Sequence, residues 1–145
     1  MSELNLTILG TPKPKQSARF YAKGNKVFSF QKKEVVENER NIAFEVKQQL
    51  PMCFKPFDEP IGLEVLFVSP IKKSASKKEK AAIERGEIIY KDTKPDIDNI
   101  TKMCLDAMQG VVYINDSRIC EYKATKIYGT IPKIQIRVYP LNATT

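Results

Sequence analysis

Four residues carry the types and spacing for phosphate chemistry. Asp96 and Asp98 flank Ile97 in "KPDIDN", Lys102 follows four residues after Asp98, and Asp116 lies further on in "YINDSRI". Carboxylate oxygens without nitrogen or sulfur donors suit a hard ion such as Mg2+ or Mn2+. Such an ion can bind phosphate oxygens, activate a water and steady a leaving oxygen. A nearby lysine can offset charge on a pentacoordinate phosphate. Each residue also has a plainer explanation. Asp98 suits a helix N-cap, Asp96 a turn, Asp116 an Asx-turn, and Asp98 with Lys102 an i,i+4 ion pair worth only a few tenths of a kcal/mol. A calcium-binding EF-hand loop does not fit, because its third ligand position falls on Ile100 and its obligatory glycine on Thr101.

Composition narrows the chemistry. The 145 residues contain no histidine, which removes Ser-His-Asp and Cys-His catalysis and imidazole metal sites. Three cysteines, Cys53, Cys104 and Cys120, are odd in number and widely spaced, against both a disulfide framework and a four-cysteine zinc site. Hydrophobic residues make up 42% of the chain, enough for one globular domain with a core. No run approaches the roughly 18 apolar residues of a membrane span, and the N-terminus lacks the pattern of a signal peptide. The expectation is a soluble cytoplasmic protein of one domain over residues 1–145, with a loose tail at "LNATT" and no membrane partner.

The net charge of +7 is unevenly placed. Residues 4–33 contain no acid but hold Lys13, Lys15, Arg19, Lys23, Lys26, Lys32 and Lys33, seven cations that equal the whole surplus. Such a segment suits a polyanion. A solvated basic face that aids solubility accounts for it equally well. Lys72 and Lys73, in "KKSASKK", form a second basic cluster.

The elements that must position these residues follow from periodicity. "LNLTIL" alternates as a strand, and "RFYAKGNKVFSF" reads as a hairpin turning at Gly24-Asn25. A long helix follows, with Val35, Ile42, Ala43, Phe44, Val46 and Leu50 on its apolar stripe, stopped by Pro51. "IGLEVLFVSP" is apolar on both faces in its second half, as in a central strand. Ser74 or Ser76 caps a short polar helix over residues 77–85, ended by Gly86. Ile100, Met103, Cys104, Ala107 and Met108 define one face of a helix that opens at Asp98 and closes at Gly110. "RICEYKATKIYG" and "PKIQIRVYP" read as two strands of an antiparallel hairpin turning at "GTIP". The fold expected is α+β, a single compact domain with a mixed or antiparallel sheet and flanking helices.

The stretch "KPDIDNITKMCLDAMQGVVYINDSRICEYKATKIYG" resembles the core of the RusA-type Holliday junction resolvases, common in bacteria and their phages. The shared pattern is D-x-D-N-x-x-K at a helix start, a Leu-Asp-Ala, a helix-ending turn and an Asp before a strand. The N-terminal "GTPKPKQSARFYAKGNKVFSF" resembles that family's strand, basic loop and hairpin, although only Arg19 remains of an Arg-Pro-Arg common in phage-type members. The resemblance implies a Mg2+-dependent homodimeric endonuclease that nicks four-way DNA junctions symmetrically, with Mn2+ able to substitute. Asp96, Asp98 and Asp116 then take the metal-binding positions, Lys102 the catalytic lysine, and Asn99 and Asp106 supporting places, Asp106 as a support or an ion-pair partner of Lys102. Lys13, Lys15, Arg19, Lys23, Lys72 and Lys73 are the candidate DNA contacts. Phe20, Tyr21, Phe28 and Phe30 could stack on opened bases, but core packing explains them more simply. The residues alone also allow a non-catalytic DNA-binding module, or a nuclease acting on flaps.

Overall fold

A computed structural model describes residues 3–15, 19–30 and 33–141, with side chains left undescribed at 19–21 and 28–30. The main sheet has four strands. They are β1 (Leu4–Leu9), β4 (Ile61–Pro70), β5 (Ile119–Gly129) and β6 (Lys133–Pro140). Their order in space is β1-β6-β4-β5. The short strands β2 (Arg19–Lys23) and β3 (Lys26–Phe30) pair only with each other, turning at Gly24 with φ +65.

One expectation fails here. β5 and β6 do not form a hairpin; β4 lies between them, parallel to β5 and antiparallel to β6. Alternation alone made the two strands look like neighbours. The strand with the longest apolar run takes the centre, and its second half, Phe67, Val68 and Ser69, is buried on both faces. Leu63, Val65, Phe67 and Val68 of β4 are all buried. Residues 130–132 link β5 to β6 around the end of β4, whose last residue, Pro70, has no N–H to extend the ladder.

Helices α1 (Lys33–Gln49) and α3 (Ile97–Met108) pack together and build the core with the sheet. All five apolar residues expected on one face of α3 are buried. Cys104 is among them, and burial pushes its thiol up to about 12. On α1 the buried stripe is Val35, Ile42 and Val46, whereas Phe44 is 59% exposed, contrary to expectation. Each fully buried side chain contributes roughly 1.5–3 kcal/mol, against tenths for an exposed pair such as Lys33 with Glu37. Packing therefore holds α1 in place. Helix α2 (Lys77–Glu84) is capped by Ser76, whose side chain accepts from the Glu79 N–H at 3.1 Å, and only its Ile83 is buried. No helix among the described residues is long and apolar enough to cross a membrane.

The basic loop after β1 is fastened to the helices. The Lys15 N–H donates to the Asn99 carbonyl at 3.0 Å. Its ammonium donates to Glu39 of α1 and to Asp106 of α3, both at 2.8 Å. Asp106 is thus the partner of Lys15, not of Lys102. Burial disfavours the Lys15 charge, but the Asp106 and Glu39 carboxylates outweigh it and the pKa is raised. A raised lysine pKa stabilises the fold fully below the unfolded value of about 10.4 and ceases to do so as pH rises through the folded value. Lys15→Met should therefore lower stability by about 1–2 kcal/mol, or about 3–8 °C in Tm. Thermal melts should show a constant deficit from about pH 7 to 9 that narrows above about pH 10. A deficit that is absent, or that grows with pH, contradicts the tether.

Candidate active site

The approach to α3 is a tight loop containing a cis Lys94-Pro95 peptide. The N-cap is Asp96, two residues earlier than expected, with φ −66 and ψ 142. The backbone decides this: the Asp96 carbonyl accepts from the N–H groups of Asn99 and Ile100 at 3.1 and 3.2 Å. Its carboxylate makes no capping bond. Asp98 falls in the first turn, where its Oδ1 accepts from the Asn99 N–H at 3.0 Å. Both aspartates are exposed, and both stand at the positive end of the helix, which favours anionic groups there.

A residue that spacing did not single out fixes this loop. The Lys126 ammonium, half-buried on β5, donates to the carbonyls of Thr93 at 2.6 Å and Pro95 at 2.8 Å. One signal was available in the sequence, its row on the strand. Lys126 shares strand parity with Ala124, which packs on the core, and with buried Tyr128. A lysine in that row must find acceptors on the covered side of the sheet.

Asp96 and Asp98 line one groove of about 890 Å3, together with Tyr90, Lys91, Lys123 and Lys126. Of these lysines, Lys126 spends its ammonium on the Thr93 and Pro95 carbonyls and Lys91 holds its own over the Tyr128 ring, 5.0 Å from its centre, and Lys123 is exposed. Lys102 is exposed one turn further along α3 and forms no ion pair among the described residues. Asn99 braces the site through its backbone, with its N–H on Asp98 and its carbonyl on Lys15.

Asp116 is not brought to this groove within one chain. It opens a short 3-10 turn (Asp116–Arg118) capped by Asn115, and its N–H donates to the side chain of Gln109 at 3.2 Å. Gln109 ends α3, and the 12 residues of that helix span about 18 Å. Among the described residues no three His, Cys, Asp or Glu side chains gather closely enough to share one ion. Within one chain, Asp116 therefore stands near the far end of α3 from Asp96 and Asp98, a separation that sequence spacing does not report.

Lys13, Lys23, Lys72 and Lys73 do not line the aspartate groove. Lys13 and Lys23 are exposed, as are Lys72 and Lys73 before α2. The Lys72 ammonium lies 5.3 Å from the centre of the Tyr128 ring. The Lys15 ammonium is taken up by its two carboxylates. The side chains of Arg19, Phe20, Tyr21, Phe28 and Phe30 lie outside those described.

The Lys126 clamp has a direct consequence. Lys126→Met should speed amide hydrogen exchange across residues 93–98 by about tenfold or more, given the roughly 1.5–3 kcal/mol of a hydrogen bond to a charged group. Protection in β4 and β6 should stay unchanged, and Lys126→Arg should recover part of the loss. Equal exchange in wild type and Lys126→Met contradicts the clamp.

The chain is 33% identical over 86 residues to "Uncharacterized protein YqaN" of Bacillus subtilis (strain 168), a match covering 58% of this chain and 60% of that protein. The family model "Endodeoxyribonuclease RusA" matches residues 10–139, a span that takes in the basic loop, the aspartate groove and the Asp116 turn. The chain belongs to the RusA endodeoxyribonuclease family.

Proposed function

We propose that this protein is a metal-dependent endodeoxyribonuclease that resolves four-way DNA junctions. One observation carries the proposal. In a chain of this family, Asp96 and Asp98 project from a clamped helix start into a groove lined by lysines. The donor set suits Mg2+, which keeps several waters and takes one or two carboxylates plus phosphate oxygens. Mn2+ fits the same oxygen donors. When bound, the ion supplies a more acidic water and positive charge at the leaving oxygen.

The chain's own residues do the rest. Asp96 and Asp98 would hold the ion, and Lys126 keeps the Asp96 loop from moving away. Lys102, a turn along the helix, offsets charge on the phosphate as it becomes pentacoordinate. Water adds to phosphorus and the bond to the 3′ oxygen breaks, leaving a 5′-phosphate and a 3′-hydroxyl. Lys13, Arg19, Lys23, Lys72 and Lys73 would contact phosphates of the junction arms, so binding should weaken steeply with salt. The junction would be recognised first by shape rather than by base edges.

A homodimer suits both substrate and site. Paired nicks in a near two-fold junction call for two equivalent sites related by a two-fold axis. The separation along α3 gives the partner subunit a further part. Asp116 would complete the metal site of the opposite protomer.

Asp98→Asn should lower the cleavage rate of a synthetic four-way junction by about three orders of magnitude while junction binding persists. Wild-type rates in that variant contradict the site. Asp116→Asn alone should be similarly impaired. Mixing the two inactive variants should restore nicking, because one site of the mixed dimer then has every carboxylate. A mixture as inactive as its components contradicts the placement in trans. Flap and duplex substrates separate a junction resolvase from a broader branch nuclease. Binding without nicking on every substrate would favour a non-catalytic DNA-binding module.

A further inference from the structure

Residues 88–91 present an aromatic side chain that folding does not use. Their backbone is fixed along β5: the Tyr128 N–H donates to the Ile89 carbonyl and the Lys91 N–H to the Lys126 carbonyl, each at 3.0 Å. Tyr90 bridges to Ile127 in the same ladder. Yet the Tyr90 side chain is 67% exposed and its neighbour Ile88 63%. Tyr90 stands on a ridge between two concavities. On one side lies the groove of Asp96 and Asp98. On the other is a hollow of about 280 Å3, lined by Lys72, Glu79, Ile83, Asp92 and Tyr128. Two ammonium groups converge on the Tyr128 ring there, Lys72 at 5.3 Å and Lys91 at 5.0 Å from its centre.

We propose that Tyr90 is a stacking platform for one unpaired base beside the cleavage site, with Lys72 and Lys91 holding the adjoining phosphates. The inference rests on the endonuclease function proposed above. A rigid aromatic flanked by cations matches how single strands are held without sequence preference: bases stack on the ring while phosphates follow the positive groups. An intact duplex offers no free base face, so the platform favours strands opened at a branch point. Charge selects the occupant. The Lys72 and Lys91 ammonium groups beside the ridge suit phosphates, and the exposed Tyr90 ring between the two concavities offers its face to a base.

The test measures binding of the full-length protein to a four-way junction and to a short oligothymidylate, by fluorescence anisotropy in EDTA. Tyr90→Ala and Tyr90→Leu should both weaken binding roughly tenfold, and Tyr90→Phe should stay within about twofold because the ring remains. Tyr90→Leu keeps apolar bulk, so its loss separates stacking from simple packing. Alanine at Lys72 or Lys91 should each lower the slope of log affinity against log salt by about one, while Tyr90→Ala leaves that slope unchanged. Wild-type affinity in both Tyr90→Ala and Tyr90→Leu overturns the platform and leaves the endonuclease proposal standing. Failure of the wild type to bind either DNA overturns both.

Discussion

One ammonium group joins the sheet to the loop that carries Asp96. Lys126 reaches from β5 to two carbonyls of the segment that delivers Asp96, so the position of the aspartates is set by the position of β5. β5 in turn is fixed by its parallel register with β4, the buried central strand. Residues 88–91 hang on the outer side of the same strand. Aspartate loop, Tyr90 ridge and lysine groove therefore share one support. A shift of β5 along β4 would move all three together.

A second anchor holds the N-terminal basic loop. Lys15 ties the basic loop to α1 and α3 through two carboxylates, so the N-terminal positive charge is not uniformly available to DNA. One lysine of the run organises the scaffold and leaves Lys13 and Lys23 exposed. A charge census treats these residues alike, and burial distinguishes them. The same holds for Asp106, whose helical spacing suggested Lys102 but whose partner comes from 91 residues earlier in the chain.

Local patterns were legible in the sequence. The buried face of α3 reads directly from the period of Ile100, Met103, Cys104, Ala107 and Met108, and the central place of β4 from its apolar run. What was not legible depends on pairing across distance. β5 and β6 alternate like the arms of a hairpin, and nothing in their own residues says that β4 comes between. Asp96 rather than Asp98 became the cap because backbone geometry chose the helix start. Asp116 looked close to its fellow aspartates in sequence, but a full helix separates them in space. Lys126 carried a readable sign, a charge in an inward row, that only the loop opposite explains.

The central claim is that Asp96 and Asp98 form a metal seat for phosphodiester cleavage, not merely a helix start. Titrating Mg2+ into wild-type protein bound to a synthetic four-way junction tests it most directly. The account predicts paired, symmetric nicks that appear only with Mg2+ or Mn2+, together with 5′-phosphate and 3′-hydroxyl ends. Junction binding with no nicking at any concentration of either ion would contradict it.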